Sequence, residues 1–389
     1  MPLFEPFHAL RYSPTVNLAE VCTQPYDVQS NADRETYARR SKHNIVHLDL
    51  PIGDDPYRRA GENLEKWKDD RTLIVDEAPS FTIYRMSFVD SAGVSRRTTG
   101  VIGALRIEPA DSKEVMPHEQ TTPKAKTDRL ELTRATRANL SPIWALSLTP
   151  GLTTALVEPA ELVGSFTDEN SVEHRVERVT NSARCAVISG LVAQHPVVIA
   201  DGHHRYAISR SYRDENPRVD FARSILCYVN ELVDEQLSVA AIHRLYSGVS
   251  SEILLEHLEN YFEIQKIAPL DSSIIGKMSR DSFLTCASKD GASMAMKPKP
   301  EMFSGVRNLD SALLEHALRE CKHSVAYQHG STEVQARLAE DEFTAAVLIR
   351  PVSVAEIQRT ATEGLLMPPK STFFTPKLQT GLVLRQLVD

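Results

Sequence analysis

An apolar run, Pro196-Val197-Val198-Ile199-Ala200, stops at Asp201-Gly202 and gives way at once to His203-His204-Arg205-Tyr206, with no further Pro or Gly until Pro217. A short buried strand that turns on a glycine into a helix is a unit of α/β proteins. It aims the free N–H groups and the positive dipole end of the helix at the carboxyl end of the strand. An arginine in the first helical turn is unfavourable for the helix alone, because cations oppose that end of the dipole. An anion at the junction would explain it. Gly202, His203, His204 and Arg205 are therefore candidate phosphate ligands, with Arg205 able to grip an oxyanion through two N–H groups. Asp201 sits where ligands gather in α/β sheets. It is a candidate to accept a proton from a hydroxyl or to hold Mg²⁺. The plainer alternative is that Asp201 caps the helix and the histidines are ordinary structural residues. A zinc site is not indicated, because adjacent histidines on a helix diverge and no third ligand has metal-like spacing.

The rest of the chain reads as mixed α/β. Strands are expected at Phe81–Phe88, Thr98–Ile107, Ile143–Leu148, Pro196–Ala200, Ser224–Val229 and Ser238–His243. Helices are expected at Lys124–Ala138, Ala183–Gln194 and Gly202–Asp214. After a soft boundary near Gly248 the rhythm changes. Helices are expected at Ser250–Phe262, Asp310–Lys322, Thr332–Glu342 and Val354–Gly364, with strands near Ser282–Ala287, Ala292–Pro298, Val325–Gln328 and Phe343–Ile349. The chain closes on Met367–Thr375, then Pro376, Lys377 and an expected apolar helix. At 389 residues it is long enough for two domains, 1–248 and 249–389. A net charge of −8 argues against a dominant nucleic-acid surface. The longest apolar runs, such as Ile225–Val229, are five residues, far short of the roughly 20 of a membrane span. The five cysteines are scattered without a CxxC, and the first residues lack a signal-peptide pattern, so a reduced cytoplasmic protein is expected.

Three further constellations carry chemistry. His118-Glu119 precede the Lys124–Ala138 helix, and Glu119 is a candidate general base or Mg²⁺ ligand, or a plain exposed carboxylate. On that helix a 100° step groups Lys126, Arg129, Thr133, Arg134 and Arg137 on one face. That face suits a polyanion, or it is simply a solvated charged face. Pro368-Pro369-Lys370-Ser371-Thr372 joins two prolines to a cation and two hydroxyls, which could close over a phosphate or merely form a docking turn; Lys377 is a further candidate. Gln24-Pro25-Tyr26-Asp27 reads as a turn in which Asp27 either binds a substrate amino group or caps the turn. His47, in an apolar and strand-like run, reads as a satisfied core histidine. No P-loop, GxGxxG or nucleophile-elbow motif occurs.

The Asp201–Arg205 string resembles the phosphate-binding motif of the ParB/sulfiredoxin superfamily, whose free-serine kinases carry the same D-G-H-H-R sequence. The whole chain is similar to a widespread ParB-like family of unknown function, some members of which are pyrophosphate-dependent serine kinases. The resemblance runs through Gln24–Val28, Asn44–Leu48, His118–Thr121, Arg137–Asn139, Asp201–Tyr206 and Met367–Thr372. It implies a mixed-sheet, ParB/sulfiredoxin-like catalytic domain over 1–248 and a smaller α/β region over 249–389, with residues 367–377 a candidate to return to the active site. Two departures bear on activity. Sulfiredoxin chemistry needs a cysteine where His203 stands. ParB partition proteins carry a G-E-R-R motif and an adjoining helix-turn-helix, and this sequence has neither.

The function this implies is a small-molecule kinase acting on the hydroxyl of free L-serine or a similar compound. Pyrophosphate or a nucleotide would donate, with Mg²⁺. Asp201 or Glu119 would take the proton, with His118 beside them; Gly202–Arg205, Lys126, Arg129, Arg137, Lys370–Thr372 and Lys377 would hold phosphates; Tyr26, Asp27 and Asn139 would meet the acceptor. The alternative is a non-catalytic switch that binds CTP. The expected partners are a small-molecule substrate and a phosphate donor, with no membrane and no nucleic acid; the metal ligands and oligomeric state stay open.

Overall fold

The computed structural model describes residues 1–389 except 91–92, 110, 118–125, 272 and 389, together with the side chains of 126 and 127. The chain forms two compact units. The first comprises Met1–Ser238, Ala361–Gly364 and Pro376–Asp389; the second comprises Val239–Thr360 and Leu365–Thr375. The division therefore lies upstream of Gly248, and the last residues of the sequence belong to the first unit.

The first unit is built on a nine-stranded mixed sheet, and the α/β class is as expected. Its strands are β1 (Phe4–Glu5), β2 (Phe81–Val89), β3 (Ser95–Arg106), β4 (Val115–Pro117), β5 (Ile143–Ser147), β6 (Glu161–Thr167), β7 (Glu173–Val179), β8 (Val197–Asp201) and β9 (Ser224–Glu231). Their order is β4-β8-β5-β9-β3-β2-β7-β6, with β1 pairing with β3. The pairs β8/β4 and β9/β5 are parallel and the others antiparallel. Helices that matter below are α1 (Val46–Asp49), α2 (Lys126–Thr136), α3 (Leu152–Leu156), α4 (Ser182–Val192) and α5 (His203–Glu215). Alternate residues of the strands, among them Phe81, Ile83, Val101, Ile143, Val197, Ile199, Cys227 and Val229, pack with Leu152 and Leu156 of α3 and Ile188 and Val192 of α4 in one core. This is the period-two pattern that marks a half-buried strand.

Two expectations fail here for local reasons. The run around His47 is a short helix: the Asn44 side chain accepts from the Val46 N–H at 3.0 Å and turns the chain into α1. His47 is half-buried and its Nε2 lies 3.2 Å from the Ser41 carbonyl oxygen. The apolar tail after Lys377 is not helical. Gly381 takes φ +98°, and the backbone on either side pairs with other segments of the unit. Thr380 pairs with Thr23, Leu384 with Leu10, and Arg385–Gln386 with Ala138–Asn139. Burial of Leu378, Leu382, Val383, Leu384 and Leu387 makes this segment part of the core rather than an appendage.

The second unit carries a six-stranded antiparallel sheet of β10 (Ile242–Ser247), β11 (Phe262–Ile267), β12 (Leu284–Ser288), β13 (Ser293–Pro298), β14 (Ser324–His329) and β15 (Ala345–Leu348), in the order β11-β13-β12-β15-β10-β14. Its helices α6 (Ser251–Glu259), α7 (Ile274–Asp281), α8 (Asp310–Leu318) and α9 (Ser331–Leu338) serve two cores. Leu254, Leu258, Leu313 and Leu314 belong to one, and Ile274, Met278, Val334 and Leu338 to the other.

Candidate functional site

The strand-to-helix junction forms as the sequence demands. β8 runs antiparallel to β5 until its register slips between Ile199 and Asp201, an irregularity that re-aims Asp201 at the strand end. Gly202 follows at φ +89°. A Cβ there would lie 2.8 Å from Ile143 Cγ2 and 3.2 Å from Arg205 Cζ, so the position tolerates only glycine without strain. α5 then begins at His203 with no side-chain cap from Gly202.

Asp201 is gripped from two directions. Arg205 Nη2 donates to its Oδ2 at 2.9 Å, and Lys377 Nζ donates to its Oδ1 at 3.2 Å. Lys377 comes from the tail that the first unit absorbs, which is why only the tertiary structure brings it to Asp201. Burial pushes the Asp201 carboxyl upward, but the charges of Lys377 and Arg205, helped by His203, outweigh it and hold the group well below the usual carboxylate range. Arg205 also donates through Nη1 to the Pro142 carbonyl and lies 3.8 Å from Asp27. Burial pulls its guanidinium downward, while Asp27 and Asp201 outweigh that and keep it above its ordinary value. The anions that offset this arginine at the helix start are thus internal, where the sequence pointed to a ligand. Arg205 orients Asp201 directly.

A second layer lies behind Arg205. Asp49, at the end of α1, is buried and accepts from Arg129 Nη1 at 3.1 Å; the same nitrogen donates to the Asp49 carbonyl. Arg129 lies flat on the Tyr26 ring, 3.4 Å from its centroid. Burial raises the Asp49 carboxyl, and Arg129 and Arg205 offset part of that rise. Burial likewise raises the Tyr26 phenol. Tyr26, Asp49, Arg129, Asn139 and Arg205 line a cavity of about 50 Å³ that holds two buried polar atoms, Asp49 Oδ2 and Arg205 Nε, with no hydrogen-bond partner among the described residues. Asp49 carries no motif that marks it in the sequence. The signal available was an acidic residue closing the apolar run Ile45–Leu48, which only a buried partner such as Arg129 can stabilise.

The structure thus brings together Tyr26, Asp27, Arg129, Asn139, Asp201, Gly202, Arg205 and Lys377, with His203 and His204 half-buried in the first turn of α5. Asn139 has a structural duty as well, its Oδ1 accepting from the Leu226 N–H at 3.0 Å. The cationic face expected on α2 is divided. Arg129 points inward to Asp49, whereas Arg134 is exposed and pairs with Glu131 at 2.6 Å and Glu215 at 2.5 Å. Arg137 lies beyond the helix end at φ +46° and is exposed. His118 and Glu119 fall outside the described residues, as does the Lys126 side chain. Lys370, Ser371 and Thr372 belong to the second unit. Lys370 is exposed at φ +58°; Thr372 is buried; the buried Ser371 hydroxyl lies 3.1 Å from that of Ser311 and donates to the Pro368 carbonyl at 2.7 Å. Among the described residues no three His, Cys, Asp or Glu gather about one point.

Residues 4–312 match the protein family described as "protein of unknown function (DUF1015)". The chain belongs to that family. No curated protein sequence matches it. Solved structures with some likeness include a conserved hypothetical protein from Pyrococcus furiosus, with 14% identity and a TM-score of 0.38, covering 69% of this chain and 92% of that one. A free serine kinase in complex with AMP has 15% identity and a TM-score of 0.38, covering 69% and 89%. C-terminally truncated SbnI from Staphylococcus aureus has 14% identity and a TM-score of 0.40, covering 72% and 87%. These likenesses are too distant to transfer an activity. No helix among the described residues is long and apolar enough to cross a membrane.

Proposed function

We propose that this member of the DUF1015 family is a phosphotransferase acting on the hydroxyl of a small molecule, with L-serine the first acceptor to test. Pyrophosphate or a nucleoside phosphate would be the donor. The observation that carries this reading is Asp201, held ionised between Lys377 and Arg205 where β8 meets the start of α5. The D-G-H-H-R resemblance points the same way.

Phosphoryl transfer needs positioning and charge neutralisation more than covalent chemistry. In the proposed reaction the acceptor oxygen forms a bond to phosphorus, the bond from phosphorus to the donor's bridging oxygen breaks, and inorganic phosphate or the shortened nucleotide leaves. The first N–H groups of α5, with His203 and His204, offer donors to the transferred group. Lys377 neutralises charge there, moving its hydrogen bond from Asp201 toward the phosphate. A carboxylate held so far below its usual range is a weak proton acceptor and a strong partner for cations. Asp201 therefore anchors the cationic side while Lys377 is bound to it, and becomes the better proton acceptor once Lys377 turns to the phosphate, so Asp201 and Glu119 are the two candidate bases. Mg²⁺ is commonly held by one or two carboxylates together with substrate phosphates. Asp27 and Asp201 are the carboxylates that would meet an ion arriving on the donor.

The test is phosphorus NMR of the full chain with Mg²⁺, L-serine and, in turn, pyrophosphate, ATP, ADP and CTP. A phosphoserine resonance that vanishes in Asp201→Asn supports the reading. Orthophosphate release from CTP without phosphoserine would replace it with a nucleotide switch. No turnover with any donor and any of several small alcohols would refute phosphotransfer.

A further inference from the structure

At the far end of the first unit's sheet lies a groove of about 590 Å³ that the Asp201 centre does not use. Five strand spacings separate β8 from β7 in the sheet order, or about 24 Å at ~4.8 Å per strand. The groove floor is the open end of one sheet face. Register places Arg85 on β2 directly opposite Arg175 on β7, and Arg97 on β3 opposite Ser87 on β2. Two like charges directly opposite each other destabilise a sheet unless an anion is shared. Here Glu177, only 1% exposed, takes that part: Arg85 Nε donates to it at 2.9 Å and Arg175 Nε at 2.7 Å. Arg85 is further fixed by donating to the Leu156 carbonyl at 2.7 Å.

This arrangement spends a buried carboxylate on orienting two guanidiniums. The outer nitrogens of Arg175 and the whole guanidinium of Arg97 make no hydrogen bond or ion pair among the described residues and face the groove. The hydroxyls of Ser87 and Thr167 add donors. Against three arginines stand Glu177, already shared, and the exposed Glu173, so the groove is net positive on a chain of net charge −8. Its volume lies in the range of small-molecule sites. Planar guanidinium forks set around hydroxyls match the oxygens of carboxylates and phosphates.

We propose that this groove is a second anion-binding site, for a small molecule carrying at least two negative charges, either a polycarboxylate or a phosphate ester. Arg97 and Arg175 are its principal ligands and Glu177 is the residue that positions Arg175. Binding here does not depend on phosphotransfer at Asp201.

The test is calorimetric titration of the full chain, at fixed ionic strength, with citrate and with glycerol 3-phosphate as separate probes. At least one is expected to bind wild type one-to-one, tighter than about 1 mM. Loss of one charge-assisted contact should weaken it about tenfold in Arg97→Ala, and further in Arg97→Glu. Arg97 is exposed and unbonded, so neither variant should disturb folding, which circular dichroism checks. Arg39→Ala, which removes an exposed arginine that does not line the groove, should bind like wild type, so that the loss in Arg97→Ala is not one of overall charge. The citrate and phosphate arms identify which chemistry the groove prefers. Neither probe binding to wild type, or Arg97→Ala binding as wild type does, would overturn the proposal.

Discussion

Lys377→Met removes one of the two cations that hold Asp201. The Lys377 side chain is 11% exposed and that of Asp201 23%, so the pair lies between an exposed ion pair and a buried one. At 3.2 Å the gross attraction is about 5 kcal/mol for an effective dielectric near 20. Most of it offsets desolvation. Exposed pairs contribute about 0–1 kcal/mol net, and breaking a fully buried pair costs about 3–5 kcal/mol. A loss of about 2 kcal/mol follows for this half-buried case with Arg205 still in place. The chain's two tryptophans, Trp67 and Trp144, are both buried in the first unit, so their fluorescence reports on that unit alone. With an m-value of about 3 kcal/mol/M for a unit of this size, the urea midpoint should fall by about 0.7 M at pH 7. The effect has a pH signature. Asp201 is held below its unfolded value, so its contribution is present above about pH 4 and is lost as pH falls through the folded value. Removing Lys377 raises the folded value toward the unfolded one. The gap between wild type and variant should therefore be full at pH 7 and narrower at pH 3. A gap of equal size at both pH values, or no gap at pH 7, would refute the assignment of Lys377 as the counter-ion of Asp201.

Two other outcomes are expected from the first unit. Gly202→Ala adds a methyl 2.8 Å from Ile143 at a backbone angle that disfavours a side chain; it should cost about 1–3 kcal/mol and depress any phosphotransfer more than the midpoint shift explains, which paired urea melts and turnover assays would show. Deleting residues 376–389 removes five buried apolar side chains, worth roughly 8–15 kcal/mol at about 1.5–3 kcal/mol each. That is comparable to the stability of a whole domain, so the truncated chain should lose the native tryptophan emission and protease resistance of the first unit; a chain that keeps both would contradict the packing of the tail.

Local chemistry made much of this protein readable. Alternating apolar residues marked β2 and β3, and an apolar pentapeptide followed by Asp-Gly marked β8, the turn and α5, because strand period and glycine turns are properties of a few neighbouring residues. The cationic side of α2 was visible as a helical face. Its division between Arg129 and Arg134 was not, because the carboxylates that capture them, Asp49 and Glu215, lie 80 and 81 residues away in sequence. The tail misled for a related reason. Its leucines are compatible with a helix face, and only the pairing surfaces at Thr23, Leu10 and Asn139 make an extended path the better way to satisfy its backbone.

By itself the sequence determined the α/β character, the strand–glycine–helix junction and the presence there of an acid beside cations, since each depends on contiguous residues. Tertiary structure decided what those charges do. Asp201 is held well below the usual carboxylate range because Lys377 arrives from 176 residues along the chain, and Arg205 faces inward because Asp27 and the Pro142 carbonyl are folded against it. Electrostatic partners are chosen by distance in space, and burial strengthens each of them by removing the water that would otherwise screen it.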